Sequence, residues 1–323
     1  VEMYSRHGLA ESDQGDYNYL HDMGPRQWEG TIQCGLEQGK KFGIMGSTDQ
    51  HAGYPGSYGD GRIGILAESL TRDKIWDAMK NRHVCCATGD KINIDFRLND
   101  AFPGDVVRGN SRRIYLNVEG GSCIDYIDIV KNRRCIARLS GPLLPEMPEG
   151  NMVRCKVKIE FGWNREEQYV HWQGKLSISK GTINAVEPCF RGAAFTSPQP
   201  GEPEFETKIN RIVSVTDKDT ELDMYSSKNP NTTTPAMQAV ILDVTMPKDG
   251  MITAEFNGKK FEHSLGELLE GSRSHFMIGW LSEAILFNRA MPESCFMVEH
   301  YMEDTEPERD TDYYYVRVRQ RDQ

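Results

Sequence analysis

Hydrophobic positions in the first ninety residues fall into short runs and helical spacings. Val1–Ser5 is a brief apolar run giving way to polar residues, which reads as a strand. From Pro25 to Glu37, Trp28, Ile32 and Leu36 recur at helical spacing, with Pro25 near the start and Gly39 past the end, which predicts a helix. Phe42–Gly46 predicts a short buried strand, and Gly53–Gly64 a glycine-rich loop. Thr71 is placed to cap a second helix running to Arg82, with Ile75, Trp76 and Met79 turned inward and Asp73 near its positive end. His83–Ala87 predicts another strand. The succession strand, helix, strand, loop, helix, strand is α/β grammar, with functional loops expected at the strands' carboxyl ends.

Beyond residue 91 the period changes to two. Ile92, Ile94, Phe96 and Leu98 alternate with polar residues, as do Ile114, Leu116 and Val118, and then Val153, Cys155, Val157, Ile159 and Phe161. Asn257–Gly258 between two such runs is a strong hairpin signal, and Asn132–Arg133 a weaker one. Leu265–Leu269 predicts one short helix, and Pro188–Pro203 a surface loop. Trp163 and Trp172 flank Tyr169 in an alternating stretch, a pattern that suits a sandwich core better than a carbohydrate platform. The expected architecture is therefore α/β over 1–90 followed by an antiparallel β-sandwich over 91–323.

Charge narrows the function classes. Lys and Arg number 38 against 48 Asp and Glu, a net charge of −10, which argues against a protein that works by neutralising nucleic-acid phosphates. No long uncharged apolar run is present, so no membrane-spanning helix is expected. The eight cysteines follow no Cys-x-x-Cys spacing and sit mostly in apolar patterns, so they read as small buried hydrophobes with a mild lean towards a reducing compartment. Asn231–Thr233 fits a glycosylation acceptor, meaningful only on a secreted eukaryotic chain. Val1 and the closing Tyr313–Gln320 both read as strand interiors, which points to a piece of a longer protein whose targeting signal, if any, lies upstream.

Candidate chemistry gathers at two strand ends. In Gly43–Gly53 a buried strand runs out into Asp49-x-His51, and a carboxylate and an imidazole two residues apart project the same way while the strand lasts. Such a pair suits a divalent metal. Val1–Gly8 repeats the arrangement with Glu2 and His7, since Glu2 lies within the expected strand and a buried Glu needs a cation, a metal or a donor. Arg62, near the glycine loop, is placed to meet an anionic substrate, and His21, beside Asp22, is a candidate for the rim of a site.

Four motifs in order carry a resemblance. They are Val1–Glu11, Gly46–Gly56, Leu70–Met79 and Ala87–Ile92, and together they resemble the polymerase-and-histidinol-phosphatase (PHP) superfamily, in particular its branch related to carbaryl-hydrolase-like metallohydrolases with a β-rich C-terminal extension. The resemblance covers residues 1–98 well and the rest loosely. It implies that 1–90 is the C-terminal portion of a distorted (β/α) barrel, holding two or three Zn, Mn or Fe ions at the strands' carboxyl ends. It further implies that Asp49, His51 and His7 are metal ligands, with Glu2 as a bridging or lining carboxylate. Metal-activated water would then attack a phosphoester, or a related ester or carbamate, of a small-molecule substrate. The family's opening His-x-His pair does not occur in this sequence, so the first half of the barrel is expected on a preceding segment or another chain. The alternative from another class is a decayed, non-catalytic module whose sandwich binds carbohydrate or protein.

Overall fold

The computed structural model describes residues 1–14, 24, 26–50, 54–165, 169–191, 208–228 and 237–321. Contacts divide the chain into two units. One takes 1–50, 58–143 and 296–323, and the other takes 51–57 and 144–295.

The first unit begins with β1 (Glu2–Ser5) and β2 (Gly8–Leu9), a tight hairpin, followed by α1 (Ile32–Glu37) and β3 (Met45–Gly46). The helix starts where Thr31 takes an extended conformation and its Oγ1 accepts from the Cys34 N–H at 3.2 Å. This cap, with a separate 3-10 turn at Trp28–Gly30, leaves six helical residues of the thirteen expected over Pro25–Glu37. Pro25 itself lies outside the described residues. Next come β4 (Arg62–Ile65), α2 (Arg72–Lys80) and β5 (Val84–Ala87). Thr71 caps α2 as expected. Its inward face differs: Ala78 is buried, whereas Trp76 and Met79 are exposed, with Lys80 Nζ lying 5.3 Å over the Trp76 ring. The ladder behind α2 is the two-stranded pair β4–β5, which offers only a narrow surface to bury against.

The strands β6 (Asn93–Leu98), β7 (Arg112–Glu119), β8 (Ile124–Lys131) and β9 (Arg134–Ser140) follow in hairpin style. Asn132 and Arg133 both take positive φ, the type I′ geometry that joins β8 to β9 with matching twist.

The second unit is an antiparallel sandwich. Its strands are β10 (Met152–Gly162), β11 (Tyr169–Ile178), β12 (Thr182–Cys189), β13 (Arg211–Val215), β14 (Asp219–Ser227), β15 (Gln238–Pro247), β16 (Met251–Phe256) and β17 (Lys259–Ser264). Helix α3 (Leu265–Glu270) then leads to β18 (Arg273–Phe276), β19 (Ala284–Phe287) and β20 (Met291–Pro292). One sheet has the order β12-β15-β10-β19-β18, with β20 also on β10, and the other β13-β14-β11-β16-β17. The period-two positions Val153 to Phe161 on β10 all point into one core with Trp172, Leu222, Val240, Leu242 and Phe256. Trp172 is fully buried there, meets Phe161 edge-on and donates from Nε1 to Ser226 Oγ at 2.8 Å.

The chain returns to the first unit through β21 (Met297–Asp304) and β22 (Tyr314–Gln320). These complete the small antiparallel sheets β21-β7-β6 and β22-β8-β9, whose facing residues Phe96, Ile114, Leu116, Val118, Ile124, Ile127 and Ile129 form a second core.

The α/β barrel expected for the N-terminal part is overturned. Among the described residues strand accounts for 49% and helix for 10%, in four short α-helices, which points to an all-β fold. A (β/α) barrel requires repeated parallel strands joined by crossover helices. Among the described residues the parallel pairing is confined to β1 with β3, and β4 pairs β5 antiparallel. No described helix is long and apolar enough to cross a membrane. Replacing Phe161 by Ala should lower sandwich stability by about 3–5 kcal/mol, read as a fall in the urea midpoint at unchanged slope. An unchanged midpoint would contradict the core assignment.

Candidate functional site

The parallel register of β1 and β3 sets the site. Glu2 lies opposite Met45 and Tyr4 opposite Gly46, and Ser47 N–H donates to the Tyr4 carbonyl at 3.0 Å, carrying the pairing one residue past β3. Parallel strands release their loops at the same end. His7 therefore leaves β1 where Asp49 leaves β3, and His7 Nε2 stands 3.0 Å from Asp49 Oδ2. His7 is at the tip of the β1–β2 hairpin, where its N–H donates to Ser5 Oγ at 3.3 Å. Asp49 takes φ 48°, a left-handed conformation that Asp tolerates better than most residues. The His7 side chain is 18% exposed and that of Asp49 42%, so the pair has one face in solvent.

Two packing features fix these loops. Gly61 has φ +108°, and a Cβ there would sit 2.4 Å from the Ser47 carbonyl and 3.0 Å from that of Tyr4. Only glycine lets this segment run so close to both strand ends. Tyr4 OH donates to the Gly59 carbonyl at 3.0 Å from the same side. Gln50 Nε2 reaches Asp60 Oδ2 at 3.3 Å, a second tie between the loop after β3 and the glycine-rich segment.

Behind β4, Tyr58 OH donates to Asp90 Oδ1 at 2.5 Å and Gln320 Nε2 to Oδ2 at 2.7 Å. Gln320 Oε1 in turn accepts from the N–H groups of Gly121 and Ser122 at 2.7 and 3.1 Å. Asp90 is completely buried, and these bonds satisfy both its oxygens. Its role is to lock the strand ends together.

The expected site residues separate into three groups. His7 and Asp49 come together. Glu2 instead accepts a short hydrogen bond from Ser47 Oγ. Ser47 was not singled out, although extended geometry puts it on the same side as Asp49. Arg62 begins β4 with its guanidinium 5.6 Å over the Tyr58 ring, and its carbonyl lies against Gly46. His51 and His21 lie outside the described residues. Cys86 stands near Glu2, but burial, then Cys85 and Glu2, push its thiol up to about 12, which makes it unreactive near neutrality. A cavity of about 560 Å³ also lies in this unit, lined by apolar residues such as Met3, Leu9, Phe42, Ile44 and Phe96. Neither His7 nor Asp49 lines it.

An imidazole nitrogen and a carboxylate oxygen are ligands for Zn, Mn and Fe alike. Two donors bound to one such ion at roughly 2.0–2.2 Å stand about 3 Å apart at octahedral angles and roughly 3.3–3.6 Å apart at tetrahedral ones, so His7 Nε2 and Asp49 Oδ2, 3.0 Å apart, would need to open by at most a few tenths of an ångström. The pair therefore fits two positions of a metal site. Among the described residues no three His, Cys, Asp or Glu side chains converge to hold an ion by themselves. The same contact would also let Asp49 orient His7 as a proton acceptor. No protein-family model matches this chain, and no curated protein matches it either.

Gly61→Ala should destabilise the first unit by more than about 1 kcal/mol, because the new methyl meets the Ser47 carbonyl in a left-handed backbone. Thermal unfolding checks this, and an unaltered melting temperature would contradict the close approach.

Proposed function

We propose that His7 and Asp49 form part of a divalent-metal site, and that the protein is a metal-dependent hydrolase of a phosphoester or related ester. The observation that carries this reading is the 3.0 Å approach of His7 Nε2 to Asp49 Oδ2 at the common carboxyl end of two parallel strands. The parallel register gives the loops after β1 and β3 a common exit, which is what brings the two donor atoms together. The four ordered motifs that resemble the PHP superfamily support hydrolysis as the reaction, and they supply His51 as a further ligand. The barrel of that superfamily forms no part of the proposal.

His7 and Asp49 would hold the ion, and the open face of Asp49 would leave room for substrate. Glu2 on β1, whose carboxyl group accepts from Ser47 Oγ, would line the site. Arg62, at the start of β4, would be the cation that meets an anionic ester. When bound, the metal supplies an acidified water and stabilises negative charge developing on the ester.

One observation favours a second reading, a non-catalytic binding module. Between β18 and β19 the sandwich exposes Phe276, Ile278, Trp280 and Leu281, with Trp280 82% exposed and meeting Phe276 edge-on at 5.6 Å. A wet aromatic of this kind suits a sugar face or a protein partner.

Zn²⁺ or Mn²⁺ calorimetry with a chromogenic phosphoester assay separates the two. The hydrolase reading predicts metal uptake, loss of hydrolysis on chelation, and a fall in metal affinity of more than about tenfold in His7→Ala and Asp49→Ala. Unchanged metal uptake and hydrolysis in the doubly substituted chain would overturn it. Glycan binding that is lost on Trp280→Ala, with no hydrolysis, would establish the module.

A further inference from the structure

We infer that His263 and His275 form a separate two-histidine clamp for a zinc-class divalent ion, closing the edge of the sandwich. His263 lies on β17, the last strand of one sheet, and His275 on β18, the last strand of the other. Helix α3 carries the chain between them. The two Nε2 atoms face each other at 2.7 Å, with the rings 5.0 Å apart and 19° from parallel. At this distance one nitrogen donates and the other accepts, so the pair shares a single proton between two converging metal-ligand atoms.

Aromatic packing holds the rings in place. Phe261 stacks on His275 at 4.5 Å, and Phe287 meets both imidazoles edge-on, at 5.3 and 6.3 Å. Glu267 Oε2 stands 4.0 Å from His263 Nδ1, on the side of the ring away from His275. That carboxylate is itself fixed, accepting from the Ser264 N–H at 2.8 Å in the capping box of α3. A carboxylate behind a histidine is the usual outer partner of a metal-bound imidazole.

Burial holds both imidazoles below the ordinary histidine range, opposed on His263 by Glu267 and reinforced by Arg273. The neutral ring is the form that binds metal. Two nitrogens on one tetrahedral zinc stand roughly 3.3 Å apart, so the pair, now at 2.7 Å, need open by only about 0.6 Å. The pair is only partly buried, the His263 side chain being 13% exposed, and that opening leaves the remaining positions to water. An ion there would replace the shared proton and tie the two sheets through their edge strands. The histidines are twelve positions apart in sequence, with no motif around either, so only the fold brings them together.

Zn²⁺ titration of the full chain carrying His7→Ala and Asp49→Ala isolates this clamp from the strand-end site. We expect zinc uptake to persist in that background, and to weaken by more than about tenfold when His263→Ala and His275→Ala are added. Glu267→Gln, which preserves the helix cap, should weaken it more modestly. Cu²⁺ electron paramagnetic resonance on the chain with both histidines intact gives a readout independent of their substitution, and should show two coupled imidazole nitrogens. Absence of zinc uptake in the first background, an identical isotherm without the two histidines, or copper coupled to fewer than two nitrogens would overturn the inference.

Discussion

The parallel pairing of β1 with β3 is the constraint on which the candidate site depends. An antiparallel neighbour would have sent the loops after these strands to opposite ends and separated His7 from Asp49. The parallel register instead gives both loops a common exit, and the 3.0 Å contact follows from it. The pairing itself is short, so it draws its rigidity from its surroundings. The close backbone approach of Gly61 and the hydrogen bond from Tyr4 to Gly59 clamp the strand ends. The buried bonds among Tyr58, Asp90 and Gln320 join that clamp to the β-rich part of the unit.

The antiparallel part was legible because its code is local. Alternation at Val153–Phe161 and Ile114–Val118 places every second residue in a core, and the turns at Asn257–Gly258 and Asn132–Arg133 adopt the positive φ their residue types favour. The same holds for the Thr71 cap. The barrel was misread because helix and strand signals in 1–90 specify elements, not their partners. Val84–Ala87 is a strand as expected, yet it pairs antiparallel with Arg62–Ile65 across α2, and nothing in its sequence says so. Trp76 and Met79 carry helical periodicity without a sheet wide enough to cover them.

The candidate site was legible to the same extent. Asp49 and His7 stand out as polar residues just past apolar strands, and their meeting required only that the strands be parallel. Glu2 has the right chemistry, but Ser47 claims it, a pairing that depends on register and not on spacing. The polar network around Asp90 was invisible because its members are separated by up to 230 positions. His263 and His275 read in the sequence as surface or packing residues, because the edges of two sheets meet only in three dimensions.

Joint ligation by His7 and Asp49 is tested most directly by crystals soaked with Zn²⁺ and measured at the zinc absorption edge. The account predicts an anomalous peak within bonding distance of both His7 Nε2 and Asp49 Oδ2, at roughly 2.0–2.2 Å from each. A map with no peak there, with the imidazole and carboxylate still in direct hydrogen-bond contact, would contradict it.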